Sequence, residues 1–168
     1  MDFQKELIAE FERETASTRK LLEAIPEDAD FSWRPHAKSM ALGKLADHVA
    51  DTNGSWAVHA LTTDKLEWTP DMNEAPPANK AELMQRYARY VPQVKPALDA
   101  MTPEKWASSW KMVAGDQTWI DDSKYNVWRM WVVDHLIHHR AQLGVYLRLL
   151  GVTIPGMYGP SADEMPSA

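Results

Sequence analysis

Trp131-Val-Val-Asp-His135-Leu-Ile-His138-His139-Arg-Ala-Gln142 is the stretch from which the rest of this chain is read. An α-helix turns about 100° per residue, so His135 and His139 leave one face about 40° apart and one turn removed. With His135 as origin, Trp128 and Tyr146 fall near +20°, Trp131 and Leu149 near −40°, and Val132 and Leu150 near +60° (about 100° per residue). The histidine pair therefore sits at the centre of an apolar stripe and faces a core. His138, near −60° on the same count, lies at the flank of that stripe. The pattern predicts a helix over 124–150, capped by Ser123 and closed by Gly151.

Three more segments have helical period. Phe3, Leu7, Phe11, Thr18, Leu22 and Ile25 recur at three- and four-residue spacing, predicting a helix over 2–25 ended by Pro26. A second helix is expected over 39–62, with Leu45, Val49, Trp56 and Ala60 on one stripe and Gly54 as a weak point. A third is expected over 79–101, because Asn79 stands three residues before Glu82 in a capping-box arrangement. Pro92 and Pro96 each remove a donor from it and predict a kink or break. Thr102-Pro103-Glu104 starts a short helical turn, and Trp110 to Ile120, with Gly115-Asp116 at its middle, reads as a loose hairpin or irregular crossing. Four long helices in a single domain, 1–168, predict an all-α four-helix bundle with a Pro/Gly-rich C-terminal tail.

Composition narrows the function classes. The 168 residues hold no Cys, which excludes disulfides, thiolate ligands, Fe–S clusters and a cysteine nucleophile together. A net charge of −6 without a basic cluster argues against nucleic acid. No apolar run has the length of a membrane span, and the first residues lack a signal pattern, so the expectation is a cytoplasmic protein without membrane contact. Eight Trp are unusual at this length, and buried indoles need partners for their N–H, which suggests that several line a cavity or an interface.

The same-face pair has two readings. Each imidazole can be satisfied by a neighbour, as any buried polar group must be, or the pair can hold one cation at metal-ligand spacing. His48, in Leu45-Ala-Asp-His48-Val, borders the inner face of the second helix and supplies a third ligand for the metal reading. Three imidazoles suit Zn, Ni, Fe or Mn as divalent ions, and the affinity order does not choose among them. Three protein ligands also leave positions open, as working sites do. His59 lies roughly 16 Å from His48 along a continuous helix, too far to share the ion. It could line a pocket, or simply end a helix. His36 sits in a Pro-flanked loop.

Asp134-His-Leu-Ile-His-His-Arg-Ala-Gln-Leu-Gly-Val-Tyr-Leu-Arg-Leu-Leu-Gly151, running into Ile154-Pro-Gly-Met-Tyr-Gly-Pro160, resembles the DinB-like family of four-helix metalloproteins. Leu45-Ala-Asp-His48-Val is similar to that family's second-helix histidine motif. Ala141 stands where the family often has Gly. The resemblance implies up-down-down-up topology, a dimer, and a divalent metal ion held by His48, His135 and His139. It further implies kinship with transferases that use a low-molecular-weight thiol such as bacillithiol or mycothiol, and with a thiol-dependent maleylpyruvate isomerase. It implies no link to the DNA polymerase of the same name.

Around that centre, Thr52, Ser55 and His59 are candidates to bind polar substrate atoms. Gln142 is placed to orient a ligand or water, and Trp128, Trp131 and Tyr146 to form an apolar wall. No Asp or Glu on the inner faces stands out as a general base. The opposite face of the last helix carries Met130, Val133, Ile137, Ala141 and Gly144 about 120–180° from His135, with Arg140 and Arg148 at its rim. A helix apolar on two faces is buried on both, either in a homodimer or under the tail. The expected function is a metal-dependent transferase or hydrolase acting on a small molecule, the transferase using a low-molecular-weight thiol cofactor brought from outside. The alternative is a non-catalytic metal- or ligand-binding stress-response protein.

Overall fold

Helix α1 spans Phe3–Glu23, begins where Asp2 accepts a hydrogen bond from the Lys5 amide, and turns Leu7, Phe11, Thr18, Leu21 and Leu22 inward. The computed structural model describes residues 2–72 and 74–165. Helices α2 (Leu42–Asn53) and α3 (Ser55–Thr62) replace the single helix expected over 39–62. They part at Gly54, where a Cβ would lie 3.0 Å from the Tyr90 Cβ and 3.2 Å from the Ala50 carbonyl oxygen. Any side chain at this junction would press on the neighbouring helix.

That neighbour, α4 (Lys80–Asp99), starts as the capping signature predicts. Asn79 accepts from the Glu82 amide at 3.0 Å, and Glu82 accepts from the Ala78 amide at 2.9 Å. It runs as one element through Pro92 and Pro96, both on its exposed face, where the carbonyls they free meet solvent. A short α5 (Pro103–Ala107) is capped by Thr102.

The last helix, α6 (residues 124–149), has three parts: Lys124–Asn126, a π-helical stretch Val127–Asp134, and regular α-helix from His135–Leu149. Ser123 caps it, and Gly151, at φ +74°, closes it.

Side-chain partners give the helix directions. Gln4 meets Leu98, Thr15 meets Tyr87, and Lys80 meets Glu23, so α1 and α4 are antiparallel. Asp47 pairs with Arg86 and Asn53 with Tyr87, so α2 and α4 are parallel. Glu10 pairs with Arg129 and Glu14 with Arg140, so α1 and α6 are parallel. Leu22, Leu42, Val49, Leu83, Leu98, Trp128 and Leu143 are among the fully buried side chains between them.

An all-α class is wrong for this chain. Strands β1 (Lys65–Glu67), β2 (Ser109–Ala114) and β3 (Gln117–Ser123) form a mixed sheet in the order β1-β2-β3. The segment 110–120 is a true hairpin, turned by Gly115-Asp116 with Gly115 at φ +55°. β1 joins it in parallel across more than forty residues, a pairing that three residues of local sequence cannot announce. In β2 and β3, Met112 faces Ile120 but Val113 faces Thr118, leaving Trp119 as the extra residue of a β-bulge.

The tail packs back on the helices. Arg148 binds Asp163 through two hydrogen bonds of 3.0 and 2.7 Å, and the Ile154 amide donates to the same carboxylate. Tyr158 donates to Glu14 at 2.7 Å and accepts from Arg140 at 2.5 Å. Of the second stripe, Val133 lies in this chain's own core, Ile137 packs against it, and Met130 is exposed. Among the described residues no helix is long and apolar enough to cross a membrane.

Candidate metal centre and adjoining chamber

His48 projects from α2, and His135 and His139 project one turn apart from the α-helical part of α6. Their ring centroids are 5.0 Å (His48–His135), 4.5 Å (His48–His139) and 4.5 Å (His135–His139) apart, each pair edge to face. One ring nitrogen from each lies within 4.8 Å of the others. The Nε2 atoms of His48 and His135 approach to 2.8 Å.

Zinc–nitrogen bonds of about 2.0–2.1 Å allow two ligands of one ion to stand at most about 4.2 Å apart, so sub-ångström side-chain movements suffice. The donor set fits a divalent ion of the zinc, nickel, iron or manganese kind. Among the described residues, no lysine or arginine nitrogen hydrogen-bonds to these three rings.

Burial keeps these rings neutral. Desolvation, followed by the charges of His139 and His135, pushes the His48 pKa down to about 4. Desolvation also lowers His135 and His139, each further depressed by a neighbouring imidazole. Neutral imidazole is the form that ligates a metal.

Gln142 holds His139 in place: the Nδ1 of His139 donates to Gln142 Oε1 at 2.8 Å, which leaves Nε2 as the free lone pair. The Gln142 amide nitrogen reaches His138 Nε2 at 3.0 Å, so one side chain braces both histidines.

Two recesses meet at this cluster. The larger, about 680 Å³, is lined at one end by His48, His135, Asp51, Thr52 and Ser55. Its other walls are Trp56, Trp68, Trp119 and Trp131 with Leu66, Met72, Met112 and Ile120. The smaller, about 250 Å³, is polar, with Lys44, Asp47, Glu74 and Arg86, and shares His48, Asp51 and Ser55 with the first. The sheet absent from the sequence reading thus supplies a wall of the main chamber.

The other sequence candidates scatter. Thr52 is buried at the chamber wall, but its hydroxyl donates to the His48 carbonyl at 2.7 Å. Ser55 lies between the recesses and hydrogen-bonds Asp51. His59 lines the chamber because α3 leaves the line of α2 at Gly54, and its Nε2 has no hydrogen-bond partner among the described residues. Trp131 lines the chamber, and its carbonyl accepts from Trp56 Nε1 at 2.7 Å.

Trp128 does not line it. A π-helix bonds i to i+5 and advances less than 100° per residue. The π-helical stretch of α6 therefore swings Trp128 off the histidine face into the core against Phe11 and Trp106. Tyr146 is also elsewhere, its ring against Trp33 and its hydroxyl on the Met40 carbonyl.

Asp51 is the residue the sequence reading missed. It opens on both recesses, and desolvation together with the charge of Asp47 raises its pKa to about 6 against the hydrogen bond from Ser55. Its signal was available: three residues beyond His48 puts it on the neighbouring helix face.

A family model described as the DinB family matches residues 1–167. This chain belongs to the DinB family. Two solved DinB-like proteins share its fold. One, from Bacillus cereus ATCC 10987, is 20% identical, with 90% of this chain and 95% of that one covered at a TM-score of 0.65. The other, YjoA from Bacillus subtilis, is 21% identical, with 90% and 96% covered at 0.68. In sequence, this DinB-family chain is 46% identical over 35 residues to an uncharacterized Bacillus subtilis protein, YrdA. That stretch spans 21% of either protein.

Proposed function

We propose that this DinB-family protein is a metal-dependent enzyme acting on a small molecule, of the thiol S-transferase or hydrolase type. The observation that carries the reading is the convergence of three imidazoles, two of which, His48 and His135, line a chamber large enough for a substrate. His48, His135 and His139 would hold the ion. A divalent cation there, undiluted by anionic ligands, supplies charge that lowers the pKa of a water or thiol beside it.

The chain's own groups divide the remaining work. Asp51, with a pKa of about 6, is ionised at neutral pH and poised to accept a proton from the attacking group. Ser55 orients that carboxylate, and Gln142 fixes the tautomer of His139. The tryptophan walls give a substrate apolar surface to pack against. Because the chain has no cysteine, a thiol nucleophile would have to enter as a separate small molecule.

A homodimer through the outer face of α6 belongs to the same proposal. Met130 is 56% exposed there, and nothing lies within 4 Å of a Cβ built on Gly144. Met130→Glu and Ile137→Glu should halve the solution mass.

The deciding experiment loads the purified protein with zinc, nickel, iron(II) or manganese and offers electrophiles and hydrolysable esters, with and without a panel of low-molecular-weight thiols. Turnover that needs the metal and disappears in His135→Gln, at unchanged melting temperature, supports the enzyme. Tight ligand binding with silence across the panel overturns it in favour of a non-catalytic binder.

A further inference from the structure

The chamber beside the histidines has a largely aromatic wall. Trp56 comes from α3, Trp68 from the end of β1, Trp119 from β3 and Trp131 from α6, so four separate elements each turn an indole to one space. Met72 and Met112 fill gaps between them with adaptable, polarizable side chains. A residue serving only the core would be buried, yet Trp119 is 48% exposed.

The bulge explains how Trp119 arrives there. In a regular strand, neighbours point to opposite faces. Trp119 and Ile120 nevertheless both line the chamber, because Trp119 is the extra residue in the β2–β3 register. Bulges of this kind re-aim a side chain next to functional sites.

Two of the four indole N–H groups are taken up by the protein. Trp56 Nε1 donates to the Trp131 carbonyl at 2.7 Å, and Trp119 Nε1 donates to Gln117 Oε1 at 3.3 Å. These two indoles therefore have no N–H to spare for a ligand. Trp68 and Trp119 stand 5.2 Å apart, tilted by 38°, as a wedge of two ring surfaces. Aromatic rings pair best in offset or tilted contact at such distances. The same space is also lined by the polar groups of His48, His135, Asp51, Thr52, Ser55 and His59.

We propose that this chamber binds a planar aromatic small molecule, its rings against the Trp68–Trp119 wedge and a single polar group directed at the histidine cluster. The volume of about 680 Å³ suits a ligand of two or three rings. This substrate class rests on the metal-enzyme reading for the direction of the polar group, but not for the ring site.

The test compares 2-naphthoate with decanoate, two carboxylates of similar carbon count, by calorimetric titration of the metal-free and zinc-loaded protein. The expected result is one naphthoate per chain, bound at least tenfold more tightly than decanoate. Trp119→Ala should weaken naphthoate at least tenfold, while Trp119→Tyr, which keeps a flat ring, retains most of the affinity. Zinc should tighten naphthoate at least tenfold.

Decanoate within threefold of naphthoate, or an unchanged affinity in Trp119→Ala at wild-type melting temperature, overturns the ring site. Tryptophan-dependent naphthoate binding that zinc does not improve overturns the direction of the polar group. If zinc itself fails to bind while tryptophan-dependent naphthoate binding persists, the metal reading falls and the ring site stands.

Discussion

His48 and His135, eighty-seven residues apart, bring their Nε2 atoms to 2.8 Å across the α2–α6 contact. Two neutral imidazoles at that distance share one hydrogen bond at best, and both stay uncharged because burial lowers their pKa. The arrangement places two ring nitrogens at one point, with His139 one turn beyond His135 on the same helix.

It follows that metal uptake should release few protons. Three free imidazoles at pH 6.5 would be half protonated and would surrender about 1.5 protons on ligation. Because all three pKa values are lowered in the fold, zinc titration at pH 6.5 in dilute buffer should release less than this at a stoichiometry of one. His135→Gln should abolish the heat of binding.

Acid should unfold the metal-free protein through the same groups. A histidine with a folded pKa below its unfolded value contributes stability above pH 6.5 that is lost as pH falls toward the folded value. For His48 the window is pH 6.5 to about 4, and linkage bounds its contribution at about 3 kcal/mol. Denaturant midpoints measured across that range should fall in the wild type and flatten in His48→Gln.

Gln142 should matter to affinity without touching the ion. Groups that orient metal-ligating histidines typically contribute 10–100-fold to metal binding. Gln142→Ala should weaken zinc by about that factor, while Gln142→Glu, which keeps an acceptor for the His139 Nδ1–H, should restore it. Competition with a chromogenic chelator reads both.

The histidines were legible because helical spacing fixes which side chains share a face, and His135 and His139 obey it within regular α-helix. Trp128 leaves the face that regular helical spacing assigns it, because the π-helical stretch Val127–Asp134 winds differently and no residue in it advertises that winding. Helical distance removes His59 as a ligand but leaves it as a pocket residue, and it does line the chamber, on a helix that Gly54 divides from that of His48. β1 escaped notice since its three residues gain strand character only from β2, far along the chain. The chamber wall followed it out of sight. Caps fared better, because Asn79, Thr102 and Ser123 act on amides two or three residues away.

Asp51 carries a prediction in which stability and activity move oppositely. Its pKa is raised from 3.8 to about 6. Its contribution to stability is thus present below pH 3.8 and lost as pH rises through 6. At pH 7.5 the ionised carboxylate is a burden on the fold, so Asp51→Asn should raise the melting temperature. If Asp51 is the base, the same change should lower kcat by about 10²–10⁴-fold and remove the acid limb near pH 6 from the rate profile. A higher melting temperature with unaltered kcat would leave Asp51 without a role in the chemistry.

The buried pair Arg140–Glu14 should be the costliest charge in the molecule to disturb. The Arg140 side chain is 2% exposed and that of Glu14 8%, their closest atoms are 2.5 Å apart, and Thr18 and Tyr158 complete the hydrogen bonding. Removing one partner strands the other charge away from water, which typically costs about 3–5 kcal/mol. Arg140→Met and Glu14→Leu should each destabilise by about that amount. The double variant should be less destabilised than the sum of the two, because neither charge is then left alone. Tyr158→Phe, which removes only the hydroxyl shared by both, should cost about 1–3 kcal/mol and loosen the tail, read as faster amide exchange at Ile154 and Gly156, whose amides are held by Asp163 and Glu164. An additive double variant would mean that the pair does not act as a unit.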